Sequence, residues 1–239
     1  MSLKSVARYC LRKFGLDIYR YSPTTHSSPL NFSLQRFGID LVLDVGANQG
    51  QFASEIRRGG YTGNIVSFEP LTDAHGMLLQ VAHVDKKWEV FPRCAIGNRN
   101  GEVEINIAGN SLSSSILPML ESHRVAAPDS IYLGQETAPI HTLDSVGMPY
   151  LKKSKAPFLK IDTQGLEWQV LDGARISLAR SRGVLIELSL VPLYEGQHMW
   201  LDIVTRMEAE GFILWAFAPV FSDPEDGRTL QVDGVFYRA

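Results

Sequence analysis

The sequence predicts an α/β fold in which helices cover both faces of a mostly parallel β-sheet. From about residue 40 onward, short apolar runs of strand length alternate with longer segments of helical periodicity. The short runs are apolar throughout, as in strands that are buried on both sides. The last two predicted strands have no helix between them, and their connection contains Pro and Asp-Gly turn signals. One terminal strand is therefore expected to be antiparallel.

Length and composition indicate one large α/β domain with a full core. The chain has 239 residues, of which 45% are hydrophobic, and a formal net charge of −3. A domain that binds nucleic acid is usually basic, so this negative charge argues against nucleic-acid binding. Cys10 and Cys94 form no C-x-x-C pair, so a reducing compartment is expected, namely the cytoplasm. No apolar run approaches the ~20 residues that span a bilayer, and the first residues do not resemble a secretory signal.

Residues 1–37 are predicted to form an N-terminal helix and a linker, followed by the main domain at 38–239. Residues 1–21 contain five basic residues and one acid, with apolar residues at helical spacing. We expect a helix that packs on the domain and exposes a basic face to solvent. A weak peripheral contact with a membrane or an anionic substrate is the alternative. Residues 22–35 are rich in Ser, Thr and Pro and are predicted to be the linker.

The first half of the domain alternates strand and helix patterns. Helices are predicted where apolar residues recur every three or four positions, and strands where short apolar runs end in polar or turn residues. The first predicted helix ends at the Gly59-Gly60 pair, because glycine terminates helices. The predicted order is a strand at 40–45, a helix at 50–60, a strand at 64–69, a helix at 71–84, a strand at 88–96, and a turn with an alternating strand at 97–109.

The second half begins with a segment, residues 109–135, that is rich in Ser, Gly and Pro and is predicted to be irregular. Regular patterns then return. The last predicted helix carries an apolar stripe at helical spacing and ends at a glycine. The predicted order is a strand at 157–162, a helix at 166–174, a strand at 183–189, a helix at 198–211, and two strands at 212–218 and 231–239.

The stretch LVLDVGANQGQF, residues 41–52, places a carboxylate and a flexible turn at the end of a buried strand. In open α/β sheets, ligands bind outside the carboxyl ends of the strands. Asp44 lies near that end, and Gly46, Asn48 and Gly50 form the turn into the helix, where glycine allows the backbone to approach a ligand. The pattern lacks the third glycine of the G-x-G-x-x-G dinucleotide motif, so a nicotinamide oxidoreductase is not favoured.

The second strand ends in Glu69, 25 positions after Asp44. An acid at this place is suited to bind both hydroxyls of a ribose. The first turn contains no basic residue, so a pyrophosphate is not expected. A ligand with a ribose and an ammonium group but no pyrophosphate fits S-adenosylmethionine. In the alternative interpretation, the two acids cap helix N-termini.

Further motifs make the sequence similar to a known family. The motifs DVGANQGQF, FEP, AIGNRNG, SLSSS, TLDSV, LKIDTQGLEWQVLDGA, LIELS and QVDGVFYR occur in the order found in FkbM-type S-adenosylmethionine-dependent methyltransferases. The resemblance covers roughly residues 38–239 and is strongest in DVGANQG and LKIDTQGLE. The second motif usually has Val-Glu where this chain has Thr163-Gln164, so no role is carried over for that acid.

The resemblance implies a Rossmann-like, seven-stranded class I methyltransferase sheet with an antiparallel C-terminal strand. It also implies O-methylation of a hydroxyl on a sugar or secondary metabolite, with S-adenosylmethionine as cofactor. A serine motif around Ser113 is expected to line the cleft or, alternatively, to form a polar surface loop. The implied cofactor contacts are Asp44, Gly46, Asn48 and Gly50 at the methionine part, Phe52 beside it, Glu69 at the ribose, Ala95 and Ile96 near the adenine, and Ser113 and Asp162.

Two carboxylates are the predicted catalytic residues. Asp162 ends the fourth strand of the family's sheet, where the methyl group of the cofactor lies, and Glu187 lies at the end of the neighbouring strand. One of them is expected to act as a general base. Alternatively, both hold Mg²⁺, which would orient the hydroxyl and lower its pKa. In a purely structural interpretation, Glu187 instead pairs with buried Lys160 or with an arginine.

The acceptor pocket is expected to come from residues 109–135 and the loop at 188–198. Tyr132, Tyr194 and Glu195 are the predicted substrate contacts, because aromatic rings and acids suit the faces and hydroxyls of a sugar. The expected partner is therefore a small molecule or a glycan. A methyltransferase for a nitrogen or a macromolecule, and a cofactor-binding module without catalysis, are the alternatives. The fourth strand lacks the aromatic-proline motif of many N-methyltransferases, which counts against a nitrogen acceptor.

Overall fold

The computed structural model describes residues 29–238 and, before them, Leu11 alone. The predicted helix within residues 1–21, and with it the alternative of a membrane contact, lies outside the described residues. The predicted linker is wrong from Pro29 onward, because helix α1 (Pro29–Arg36) forms there and buries Leu34 in the core. Burial of this apolar side chain stabilises the helix on the domain. The domain boundary between residues 37 and 38 stays a prediction.

The main sheet contains seven strands, as expected from the sequence. Its spatial order is β3-β2-β1-β7-β8-β10-β9, and every pairing except the two made by β10 is parallel. The antiparallel β10 hydrogen-bonds to β8 on one side and to β9 on the other. The strands are β1 (Leu41–Val45), β2 (Asn64–Phe68), β3 (Trp88–Val90), β7 (Pro157–Ile161), β8 (Gly183–Ser189), β9 (Ile213–Ser222) and β10 (Thr229–Tyr237).

Helices cover both faces of this sheet, which confirms the predicted fold class. On one face, α1 packs with α2 (Gln51–Arg58) and α3 (Thr72–Ala82). The opposite face carries α5 (Leu143–Val146), α6 (Met148–Leu151), α7 (Glu167–Asp172), α8 (Arg175–Arg180) and α9 (Trp200–Ala209). Among the described residues, no helix is long and apolar enough to cross a membrane.

A second sheet of three strands lies beside the first, in the order β4-β6-β5. The strand predicted at 88–96 is divided between the two sheets: β3 pairs with β2, and β4 pairs with β6. Pro92 falls in the break, where it cannot donate a backbone hydrogen bond. Part of the segment predicted to be irregular belongs to β6. The elements are β4 (Ala95–Gly97), β5 (Gly101–Ala108), α4 (Glu121–Ala126), a 3-10 turn (Pro128–Ser130) and β6 (Tyr132–Thr142).

Strand register brings three carboxyl groups to neighbouring positions. Asp162 follows β7 directly, and the pairing of β7 with β8 brings it beside Glu187. Asp233 of β10 lies directly opposite Glu187. All three residues therefore lie at the carboxyl edge of the parallel strands, where ligands bind in open α/β sheets.

Candidate active site

A cleft opens at the carboxyl ends of β1, β2 and β7. Its walls are the turn after β1, the end of β2 with residues 68–71, strand β4 with Cys94, the loop at 111–116, and residues 162–166.

The turn after β1 is shaped by close contact with β7. Gly46 has φ +75°, and a Cβ built on it would lie 1.7 Å from the backbone oxygen of Asp162. Only glycine fits this position. Asn48 also adopts a left-handed conformation, with φ +47°. The turn therefore brings backbone atoms of β1 directly against the end of β7.

Glu69, at the end of the neighbouring strand β2, stabilises this turn. Its Oε2 accepts a hydrogen bond from the backbone N–H of Asn48 at 2.7 Å, and its Oε1 accepts one from Leu71 at 2.9 Å. Burial raises the pKa of Glu69 to about 7. A carboxylate has about four acceptor positions, so Glu69 keeps acceptor capacity for hydroxyl groups in the cleft.

Lys160 connects the turn after β1 to the end of β7. It is buried, and its Nζ donates to the backbone oxygen of Gly46 at 2.7 Å. The same Nζ lies 3.3 Å from Asp44 Oδ1 and 3.4 Å from Asp162 Oδ2. A buried ammonium with several oxygen partners is stable only while those partners remain. Lys160 therefore fixes Asp162 beside the turn.

Gln164 links the two predicted catalytic carboxyl groups. Its Nε2 donates to Asp162 Oδ1 at 2.9 Å and to Glu187 Oε2 at 2.8 Å. Gln231 Nε2 donates to the same Glu187 oxygen at 2.7 Å. Burial and the nearby charge of Asp162 raise the pKa of Glu187 well above its usual range. Gln164 itself has φ +54°, a strained conformation of the kind that clusters at functional sites.

A comparison with models of protein families shows to which family this chain belongs. The model of the methyltransferase FkbM domain matches residues 44–214, which is most of the chain. The chain belongs to the FkbM methyltransferase family. It is therefore an S-adenosylmethionine-dependent methyltransferase by family, and the matched range contains every residue of the cleft wall.

Several solved methyltransferase structures are similar to this FkbM domain at low identity. Methyltransferase FkbM from Methylobacillus flagellatus KT is 15% identical with a TM-score of 0.47, and the match covers 82% of this chain and 43% of that one. The magnesium protoporphyrin IX methyltransferase ChlM from Synechocystis PCC 6803, with bound SAM, is 10% identical with a TM-score of 0.46 and coverages of 100% and 98%. TehB from Haemophilus influenzae is 8% identical with a TM-score of 0.47 and coverages of 97% and 66%. Among curated proteins there is no match.

The FkbM domain places some of the predicted cofactor residues on the cleft wall. Gly46, Asn48, Glu69 and Asp162 line it together, and Ala95 and Ile96 form part of an apolar end with Phe68 and Leu112. A flat apolar ring suits this end of the cleft. Gly50 shapes the turn from outside, because its φ is +88° and a Cβ there would lie 2.9 Å from Trp88.

Three predicted cofactor residues lie away from the cleft wall. Asp44 is fully buried beneath it and accepts a hydrogen bond from Ser67 Oγ at 3.0 Å. Phe52 faces the opposite side of its helix, with its ring centroid 5.6 Å from Lys160 Nζ. Ser113 points away from the cleft, where it hydrogen-bonds to Asn110 and His123, whereas its neighbours at 111, 114 and 115 line the wall.

The predicted acceptor residues do not form a pocket at this cleft. The hydroxyl of Tyr132 donates to the backbone oxygen of Leu117 at 2.8 Å. Tyr194 is buried, and its hydroxyl donates to Gln164 Oε1 at 2.8 Å, so it supports the loop after β7. Glu195 is exposed on the surface.

A Mg²⁺ site at Asp162 and Glu187 has no support in the structure. Within residues 29–238, no group of three or more His, Cys, Asp or Glu side chains has an arrangement that could hold a metal ion. The two carboxyl groups are bridged by the amide of Gln164, and the ammonium of Lys160 lies against Asp162. These donors occupy the positions that a cation would need, so the residues do not fit the ion.

The sequence did not predict two residues of the loop after β7 that hold the candidate site together. Gln164 links Asp162 to Glu187, and Glu167 accepts hydrogen bonds from the backbone N–H groups of Thr163 and Gly165 at 3.0 and 3.1 Å. Burial raises the pKa of Glu167 to about 7. The signal for Gln164 was its departure from the acid that is usual in the family. Nothing in the local pattern distinguished Glu167 from a helix-capping acid.

Proposed function

We propose that this FkbM domain transfers the methyl group of S-adenosylmethionine to a hydroxyl oxygen of a sugar or secondary metabolite. One observation carries the proposal: Glu69 and Asp162 line the same cleft on either side of the Gly46 turn. This arrangement offers an acceptor for ribose hydroxyls at one side and a carboxylate beside the methyl group at the other.

The chain's own residues bind and orient the cofactor in this proposal. Glu69 accepts hydrogen bonds from the ribose hydroxyls, and the apolar wall at Ala95 and Ile96 contacts the adenine. The Gly46 turn and Asp162 hold the methionine part. Asp44 acts from beneath, because it helps to fix Lys160 under the turn. The cofactor itself supplies an activated methyl electrophile.

Glu187 is the proposed general base. Both of its hydrogen bonds to Gln164 and Gln231 end on Oε2, and within the described chain Oε1 accepts none. Oε1 is therefore free to take the proton of an acceptor hydroxyl, and a raised pKa suits a base that works near neutral pH. Gln164 and Gln231 hold the carboxyl group in place. Positioning of the hydroxyl in line with the methyl group supplies much of the acceleration.

The test separates cofactor binding from methyl transfer. We expect S-adenosylmethionine and S-adenosylhomocysteine to bind to the purified chain in a calorimetric titration, and methylated products to form in a panel of hydroxylated sugars and metabolites. Glu187→Gln is expected to keep cofactor binding and lower kcat by about 100-fold. The exposed Glu104→Gln on β5 is the matched control and should change neither.

Each outcome has a distinct meaning. Absence of cofactor binding would contradict the proposed function. Cofactor binding without transfer to any hydroxylated compound would favour the non-catalytic cofactor-binding module. Products methylated on nitrogen, or on a macromolecule, would favour the other alternative from the sequence. The cytoplasmic location, the absence of nucleic-acid binding and the class of acceptor stay predictions.

A further inference from the structure

A second cavity lies between α1, α2 and the face of β8, β10 and β9. Aromatic side chains form much of its wall: Phe52 from α2, and Trp215 and Phe217 from β9. Trp215 is held edge-on against Phe37 and Tyr237, with centroid distances of 5.3 and 6.0 Å. The cavity therefore has at least one rigid aromatic face.

Asp233 is the exceptional polar residue of this cavity. Its side chain is partly buried and lines the cavity, its carboxyl group makes no hydrogen bond or salt bridge with any residue in the part of the chain that the structure describes, and Lys160 acts on it only through its charge. A carboxyl group that faces a cavity without a hydrogen-bonding protein partner is available to bind a ligand there.

The cavity adjoins the proposed reaction site. Phe52 lies against Lys160, whose Nζ is 3.4 Å from Asp162 Oδ2. Asp233 lies opposite Glu187 on the adjacent strand. The cleft and the second cavity thus lie near Lys160, and in strand register Glu187 lies between Asp162 of the cleft and Asp233 of the cavity.

The charges around the cavity indicate the charge of the ligand that it would bind. The titratable side chains in its described wall are both acids, Glu55 and Asp233. The nearby Lys160 is already bound to Asp44, Asp162 and the backbone of Gly46. Acids attract a cation, and aromatic faces add cation–π attraction to it. An anionic compound would meet repulsion without a basic side chain to bind it.

We propose that this cavity binds the methyl acceptor and that the acceptor carries a protonated amine, as an amino sugar or another hydroxylated amine does. The inference rests on the proposed function. Asp233 binds the ammonium group, Trp215 and Phe217 pack against the apolar ring face, and a hydroxyl of the acceptor reaches Glu187.

A charge series of sugars tests the inference on protein saturated with S-adenosylhomocysteine. The probes are D-glucosamine, N-acetyl-D-glucosamine and D-glucuronate, which share a pyranose ring and differ in charge. We expect D-glucosamine to bind at least about tenfold more tightly than the other two, a difference of about 1.4 kcal/mol. Asp233→Asn should abolish this preference, because it removes the charge and keeps the shape. Val220→Ala, on the neighbouring strand β9 but outside the cavity wall, should preserve it.

Equal affinities for the three sugars, tighter binding of glucuronate, no binding of glucosamine, or a preference that survives Asp233→Asn would each overturn the inference. Titration of S-adenosylhomocysteine into every variant distinguishes this failure from failure of the proposed function. If the cofactor product binds and the amine preference is absent, only the inference fails. If the cofactor product does not bind, the proposed function fails, and the same sugar series on unloaded protein still tests the cavity.

Discussion

Asp44 shows how a residue of a cofactor motif contributes without touching the cleft. It is fully buried, and its two oxygens face Ser67 and Lys160. The sequence predicts a direct contact with the cofactor, whereas the structure gives Asp44 a place in the support of Lys160. Direct contact and support of Lys160 predict different effects of a substitution at Asp44.

We expect Asp44→Ala to lower the free energy of unfolding by about 3 kcal/mol, because it deprives the buried ammonium of Lys160 of one partner. Urea denaturation measures this change. Asp44→Asn keeps the volume and the acceptor for Ser67, so it should cost less. A loss of S-adenosylhomocysteine affinity at unchanged stability would contradict this role and favour direct contact.

Single residues also mark the limit of what the sequence predicts. The rule that ligands lie at strand ends led to Glu69, and the family resemblance led to Asp162, Ala95 and Ile96; all four line one cleft. The same rule does not give the direction of a side chain after a turn with positive φ. Ser113 and its neighbours differ in direction for this reason: Ser111, with φ +53°, lines the cleft, and Ser113 does not.

At the scale of elements, the contact between the β1 turn and the end of β7 is the tightest feature of the site. We expect Gly46→Ala to lower the free energy of unfolding by at least about 2 kcal/mol and to weaken S-adenosylhomocysteine binding, since a Cβ would overlap the backbone of Asp162 in a left-handed conformation. Thermal unfolding and calorimetry check both effects.

Gly76 supplies the matched control for this substitution. It lies within α3, and a Cβ there would meet no atom within 4 Å. Gly76→Ala should therefore stabilise the protein by about 0.5–1 kcal/mol through helix propensity. A Gly46→Ala variant that behaves like Gly76→Ala would contradict the close contact of the two strands.

Elements with strong periodicity were predictable, and those without it were not. The seven strands of the main sheet are largely buried or carry clear apolar patterns. Strand β6 is mostly exposed and contains Gly134 and Pro139, so neither hydrophobic pattern nor propensity indicates it. Its partner strands in the second sheet, not its own sequence, determine its structure.

For the whole molecule, buried acids determine how stability depends on pH. Burial raises the pKa values of Glu69 and Glu167 to about 7, and those of Asp44 and Glu187 move in the same direction. Between about pH 4.5 and 7 the folded chain therefore binds more protons than the unfolded chain. His123 acts in the opposite direction, because burial lowers its pKa to about 4 and the unfolded chain protonates it more readily.

Because the acids outnumber the single histidine, we expect the free energy of unfolding to fall by about 2 kcal/mol or more from pH 5 to pH 7 and then to level off. Urea denaturation at pH 5, 6, 7 and 8 measures this dependence. Glu167→Gln should make it shallower. A free energy of unfolding that rises over this range would show that Glu69 and Glu167 are ionised in the folded protein.

Strand β10 follows β9 along the chain but lies between β9 and β8 in space. During folding, β9 has no place in the sheet until β10 has formed beside it, because β8 and β9 share no pairing in the finished sheet. The two strands are therefore expected to assemble first as a hairpin, which then docks through β10 onto β8. Gln231 and Asp233 lie on β10 and arrive with that docking step, so the amide that holds Glu187 and the acid of the second cavity reach their places together.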